Sequence, residues 1–278
     1  MLEHVIGALA CPHGEPGLAL IEGGLICPAG HRFDLARQGY VNLLLGPAPV
    51  AADTPEMVAA RERIQSAGHQ DALTEALLQA ATGAGMPPSG LIVDLGAGTG
   101  HHLAAVVEHT GAAAGLALDV SKYAARRAAR VHPRVGAVVC DVWRRLPVRD
   151  AAASLVLDVF APRHVEEIAR ILAPGGTLVV ATPTSRHLTP LVERLGLLRV
   201  GADKLERLDR DLAGIARLRA REVVDEPVVL DRAATRAMVA MGPSAHHLAV
   251  HDLDAAIARL PEPVQVTISV TVSSYTRR

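Results

Sequence analysis

Aromatic side chains are nearly missing from this chain. One Trp, three Tyr and two Phe make up 2% of its 278 residues, so any sizeable core has to be aliphatic. Cysteine is almost as scarce. Three thiols cannot all pair with one another, which excludes a disulfide framework and points to a reduced, cytoplasmic protein. In that setting a cysteine near a histidine is more often a metal ligand than half of a disulfide. An excess of one charge is also absent. With 28 Lys and Arg against 29 Asp and Glu, no global field draws the chain to nucleic acid or to an acidic membrane. RNA binding therefore has to come from local patches or from shape. No apolar run approaches the roughly 20 residues that span a bilayer. Residues 1–10 lack a basic leader and are interrupted by Glu3 and His4, so neither a signal peptide nor a membrane partner is expected.

Half of the chain is hydrophobic, mostly Ala, Val and Leu. That composition suits helices packed on a parallel sheet buried on both faces. The first forty-odd residues read differently, as a small β module carrying Cys11, His13, Cys27 and His31. Its own core is too small for independent stability, so it needs a metal or the neighbouring domain. A Pro- and Ala-rich loop follows at 46–54. Residues 55–79 read as one or two helices, with Pro55 at the first helical position after Thr54. Residues 83–90 form a linker.

From Leu91 onward strands and helices alternate. Strands are expected at 91–95, 114–119, 135–140, 154–160 and 177–182. Helices are expected at 102–109, 121–131 and 163–172, the last ended by Pro174-Gly175-Gly176. This pattern means a doubly wound, mostly parallel α/β sheet. Further helices are expected at 188–195, 203–215 and 231–240. Two strand-like runs, 222–230 and 264–272, suit an antiparallel pair at the sheet edge.

The first strand ends in Asp94-Leu95-Gly96-Ala97-Gly98-Thr99-Gly100 and runs into a helix. Such a turn lets backbone approach a ligand closely and offers free N–H groups at the helix start. A dinucleotide turn reads G-x-G-x-x-G and serves a pyrophosphate. The G-x-G-x-G spacing here resembles motif I of class I methyltransferases, whose S-adenosylmethionine carries a carboxylate and an ammonium instead. The loop N–H groups then serve the carboxylate, and an acid serves the ammonium. The second strand ends at Asp119, placed to accept ribose hydroxyls. The third is followed by Asp141, placed for the adenine amino group beside Val142 and Trp143. Asp94, Asp119 and Asp141 at successive strand ends are far more specific than any one of them.

Cys27-Pro28-Ala29-Gly30-His31 places a thiolate and an imidazole four residues apart, as in one half of a structural zinc site. The other half reads Cys11-Pro12-His13-Gly14, with Gly14 where a second cysteine belongs. His13, one residue early, is the substitute ligand; otherwise a water completes the site or no metal binds.

Over nearly its whole length the chain resembles the large-subunit (23S) ribosomal RNA guanine-N1 methyltransferases of the RlmA type, in the Gram-positive branch tied to tylosin resistance. The carrying segments are Cys27 to Leu44, above all Arg37-Gln38-Gly39-Tyr40-Val41-Asn42-Leu43-Leu44. With them go Met57-Val58-Ala59-Ala60-Arg61, Ser66-Ala67-Gly68-His69, the glycine loop, Leu118-Asp119-Val120-Ser121-Lys122, Val159-Phe160-Ala161-Pro162-Arg163, Thr182-Pro183 and His187-Leu188. The resemblance implies a zinc-ribbon RNA-recognition module at 1–45, a helical linker at 46–90 that contributes to the cofactor site, and a methyltransferase domain at 91–278. It implies a homodimer acting on a 23S rRNA hairpin in domain II, at guanine 748 with guanine 745 as the alternative. Cofactor contacts carry over to Gly98, Thr99 and His187, and to Gln70, where the family usually has Tyr. Asp158, closing the fourth strand, is the first candidate to take the guanine N1 proton, ahead of His164 and His187. Basic groups for RNA lie at Arg126, Arg127 and Arg130, at Arg144, Arg145 and Arg149, and at Arg217, Arg219 and Arg221. A small-molecule methyltransferase and a non-catalytic RNA-binding relative are the alternatives.

Overall fold

The apolar runs become the buried strands of one eight-stranded sheet in the computed structural model, which describes residues 2–14, 17–47, 52–85, 89–201, 203–242 and 250–278. Parts of the expected loop (48–51) and linker (86–88) lie outside the described residues.

Near the N-terminus β1 (Ala19–Ile21), β2 (Gly24–Ile26) and β3 (Arg32–Asp34) make a small antiparallel sheet. Next, β4 (Tyr40–Asn42) leaves that module and joins the large sheet, parallel to β7. Two helices precede the glycine loop: α1 (Pro55–Ser66) and α2 (Asp71–Thr82). Thr54 caps α1, its Oγ1 accepting the Met57 N–H. The alternating part then runs β5 (Leu91–Leu95), α3 (His101–Thr110), β6 (Ala114–Asp119), α4 (Lys122–Val131) and β7 (Val135–Val139). It continues through β8 (Ala153–Val159), α5 (Val165–Ile171) and β9 (Leu172–Pro183). The C-terminal part adds α6 (Thr189–Leu195), α7 (Lys204–Leu212), β10 (Ala216–Leu230), α8 (Arg232–Ala240), α9 (Val250–Ala258) and β11 (Val264–Arg277).

The sheet order is β10-β11-β9-β8-β5-β6-β7-β4. Strands β4 to β9 pair in parallel, and β11 is antiparallel to both of its neighbours. Two elements depart from expectation. Pro174-Gly175-Gly176 does not stop a strand from forming. It sits inside β9 at an irregular register with β8, where Pro has no N–H to give and Gly175 takes φ +73°. In addition, β10 begins at Ala216, earlier than 222, and takes Arg217, Arg219 and Arg221 into the strand.

Alternate residues of each strand feed two cores. One core holds Ile92, Ala117, Leu155 and Val179 with Leu73 and Leu77 of α2 and Met238 of α8. The other holds Val93, Leu116 and Val180 with Ile168 of α5, Leu208 of α7, and Leu9, Leu25 and Cys27 of the N-terminal module. That module therefore shares the core of the large sheet. The strand order reverses between β5 and β8, so the carboxyl ends of β5 to β9 open on one crevice.

Candidate active site

The crevice is a cavity of about 740 Å³, lined by residues from almost every loop on that rim. On the β5–β7 side, Asp94 is buried and its Oδ1 has no hydrogen-bond partner. Burial holds this carboxyl well above the usual range, and the charges of Asp158 and Asp119 push the same way. A donating ligand cation is what such an orphaned acceptor lacks. Gln70, also buried and lining the cavity, likewise has an unpartnered Oε1. Asp119 braces the loop, its Oδ2 accepting the Gly98 N–H and its Oδ1 the Ser121 N–H, both at 2.8 Å. Burial raises its pKa, and those two N–H groups oppose the rise. The Asp141 carboxylate accepts the Trp143 N–H at 2.9 Å and faces Arg144 at 3.4 Å, and Trp143 stands half exposed at the rim.

The glycine loop lies under α1. Thr99 donates to Gln65 Oε1 at 2.7 Å, so its hydroxyl serves the α1 packing. Thr99 itself is not among the residues that line the cavity. Of the five loop N–H groups from Gly96 to Gly100, three are engaged internally: Ala97 to the Leu118 carbonyl, Gly98 to Asp119, and Gly100 to the Ala97 carbonyl. The expectation that loop N–H groups carry a carboxylate is thus met by few donors.

On the β8–β9 side the cavity is lined by Phe160, His187, Lys204 and Arg207. Phe160 has φ +58°, 40% of its surface is exposed, and its ring lies 5.8 Å from that of His187. His187 accepts the Ser269 N–H through Nδ1 at 3.3 Å, and burial lowers its pKa to about 4. Asp158 does not line this cavity. It is fully buried below it, its Oδ2 lies 2.8 Å from Arg163 Nε, and burial pushes its pKa up to about 7 against the pull of that guanidinium. His164 caps α5, its Nδ1 accepting the Glu167 N–H.

In the N-terminal module the ligand atoms of Cys11, Cys27 and His31 lie within 4.8 Å of one another. His31 Nδ1 is 3.2 Å from the Cys27 sulfur and 3.6 Å from that of Cys11. A tetrahedral zinc holds its ligand atoms roughly 3.3–3.8 Å apart, so this donor set fits a structural zinc. His13 does not join the group. Its ring stacks on His31 with centroids 4.2 Å apart, because the turn closed by the Gly14 N–H and Cys11 carbonyl carries it past the sulfurs.

Comparison with known proteins agrees with both halves. Residues 9–50 match the family model of the RlmA N-terminal zinc ribbon, and residues 92–176 match a methyltransferase domain. The chain is 50% identical to the 23S rRNA (guanine(748)-N(1))-methyltransferase of Streptomyces fradiae, over 98% of this chain and 97% of that one. The chain belongs to the 23S rRNA guanine-N1 methyltransferase family. Among solved structures, the YcgJ protein of Bacillus subtilis superposes with a TM-score of 0.54 at 15% identity, covering 73% of this chain and 98% of that one, which speaks for the fold alone.

Of the residues expected around the cofactor, Gln70, Asp94, Gly96, Gly98, Asp119, Asp141 and His187 all line this cavity of the methyltransferase. Its lining also includes Arg61, Phe160 and Lys204, to which sequence reasoning gave no role. The basic groups divide. Arg126, Arg130, Arg144 and Arg145 are exposed, whereas Arg221 is bound by Asp209, Ser273 and Tyr275.

Proposed function

We propose that this chain methylates N1 of a guanine in a hairpin of 23S rRNA domain II, at position 748, and so confers resistance to tylosin-type macrolides. The observation that carries the reading is the half-identity to the Streptomyces fradiae enzyme along almost the full length of both chains. The chemistry of the crevice supports it. Asp94, Asp119, Asp141 and Gln70 supply the acceptors that S-adenosylmethionine needs, and that cofactor brings a methyl group on sulfonium. Acceptor and methyl donor then meet where the strand order reverses, and catalysis rests mainly on holding them in line.

The acceptor belongs over β8 and β9, opposite the three carboxylates. N1 lies on the Watson–Crick edge, so the guanine has to be unpaired or extruded, as hairpin loops allow. Phe160 offers a ring face for that base, and Lys204 offers positive charge. His187, neutral at pH 7, has Nδ1 occupied by the Ser269 N–H, so Nε2 carries its proton and donates. It is a donor and cofactor contact, not the proton acceptor, and the proton that N1 loses on methylation passes to solvent water. Asp158, sealed beneath the cavity by Arg163, is assigned a positioning role. The N-terminal module helps to read the hairpin, and a homodimer widens the cleft that cradles it.

A reverse-transcription stop scan of 23S rRNA tests the proposal. N1-methylguanine blocks pairing, so ribosomes from cells carrying the gene should show one new stop in the domain II hairpin, absent without the gene. No new stop anywhere in 23S rRNA overturns the reading.

A further inference from the structure

The ligand's amino-acid end poses a charge problem that the glycine loop does not solve. Four carboxylates line the cavity: Asp53, Asp94, Asp119 and Asp141. A ligand carboxylate entering there meets repulsion unless a cation faces it. Three of the five loop N–H groups are already engaged, which leaves little backbone to receive it. The two histidines that open α3 do not help. Burial lowers the pKa of His101, and it takes that of His102 to about 3, so both are neutral at pH 7.

One cation lies on the loop. Arg61, on α1, lines the cavity with Gly98, Asp94 and Gln70. Its Nη1 is 3.2 Å from where a Cβ on Gly98 would stand, so this glycine leaves the guanidinium room against the backbone. The side chain is held in place rather than free. It pairs with Asp53, and Nη2 donates to the Met241 carbonyl at 3.0 Å. Those two bonds use two of the five guanidinium N–H groups, and 24% of the side chain remains exposed. Of the other cavity cations, Arg199 precedes α7 whereas Lys204 and Arg207 lie on it, and Lys204 interacts electrostatically with Asp158 and Arg163 on the acceptor side.

We infer that Arg61 binds the carboxylate of S-adenosylmethionine while Asp94 takes the ammonium of the same amino-acid end. The inference rests on the proposed reading of the cavity as a cofactor site. It gives a role to Met57-Val58-Ala59-Ala60-Arg61: the helix that covers the loop brings the counter-charge that the loop lacks. Prior anchoring by Asp53 and Met241 lowers the entropy lost when the ligand is bound.

Calorimetric titration of the intact, full-length protein tests this with two probes, S-adenosylmethionine and its decarboxylated form. The wild type should bind the first at least tenfold more tightly. Arg61→Met should weaken S-adenosylmethionine binding by at least tenfold and change binding of the decarboxylated form by less than twofold. Arg61→Lys should recover part of the difference. Equal losses for both probes in Arg61→Met would mean that Arg61 only clamps α1 to Met241, and would overturn the inference. If Arg61→Met does not fold, the wild-type preference decides: no preference between the probes overturns it as well. A wild type that binds neither probe brings down the cofactor reading itself, a different failure.

Discussion

His187 Nδ1 accepts the backbone N–H of Ser269 at 3.3 Å, and this bond decides which ring nitrogen carries the proton. Burial lowers the pKa to about 4, so the folded protein holds the imidazole neutral while the unfolded chain titrates near 6.5. The unfolded state then binds more protons between these values. The stability this group contributes is full above pH 6.5 and is lost as pH falls through about 4. On the proposal that Nε2–H donates to the cofactor, His187→Gln should keep cofactor affinity within about threefold, whereas His187→Leu should weaken it by roughly tenfold, the worth of one hydrogen bond in a closed site. Cofactor titrations of both variants at pH 7.5 check this; equal affinities for the two would remove the donor role.

The Asp158–Arg163 pair titrates with the opposite sign. The folded carboxyl has its pKa raised to about 7 from an ordinary 3.8. Stability from this group is present below pH 3.8 and lost as pH rises through about 7, because the ionised form is the one that burial penalises. Asp158→Asn should therefore lessen the fall in unfolding free energy between pH 4 and pH 8, measured by urea titration. Its single-turnover methylation should keep the wild-type pH profile, as befits a positioning residue. Loss of an ascending limb near pH 7 would instead make Asp158 the proton acceptor. Arg163→Met, which strands a buried carboxyl, should be the worse variant, by about 3 kcal/mol if Asp158 stays ionised.

Much of this site is legible from residue order alone, because an aliphatic parallel sheet announces its own strand ends. Asp94, Asp119 and Asp141 each follow a run of buried Val, Leu, Ile or Ala, and parallel pairing carries them to one rim. Contacts between distant segments are not legible in this way. Nothing near Arg61 in sequence tells that Met241, 180 residues on, accepts its hydrogen bond. Tyr40–Asn42 read as part of the small module because it follows the cysteines directly, yet its pairing partner is Ala137–Val139. The strand-end position of Asp158 makes it the candidate base in the sequence, and nothing there tells that Arg163 lies 2.8 Å from its carboxylate.

The zinc module makes a prediction about Gly14. Its φ of +101° disfavours any side chain, although no atom lies within 4 Å of where a Cβ would stand. Untagged protein should contain zinc by elemental analysis, held by Cys11, Cys27 and His31, and Cys27→Ser should abolish it. Gly14→Cys should lengthen zinc retention against a chelator severalfold, since a third thiolate adds a strong ligand at the price of backbone strain. Because Leu9, Leu25 and Cys27 share the core under β5 and β6, metal loss should also lower the melting temperature of the whole chain, in one transition. Two separate transitions would mean that the module folds apart from the sheet.

Phe160 makes the last prediction, which concerns the acceptor. A bulky residue at φ +58° is strained by roughly 1–2 kcal/mol, and here the Phe160 N–H donates to the Ala181 carbonyl to hold it. The result is a ring left 40% exposed at the cavity wall in a chain with only two Phe. Strain and exposure together cost stability, so a functional reason has to be sought, and a flat face beside the expected guanine supplies one. Stacking of a base on an aromatic ring is worth about 1–3 kcal/mol, or roughly 5- to 150-fold. Phe160→Ala should lower kcat/KM for the rRNA hairpin within that range, leave cofactor affinity within about twofold, and leave the fold intact. Phe160→Gly, which relieves the strained φ, should be more stable to urea than Phe160→Ala yet equally poor at methylation. Phe160→Tyr should retain activity. If Phe160→Ala methylates the hairpin at the wild-type rate, the ring does not hold the base.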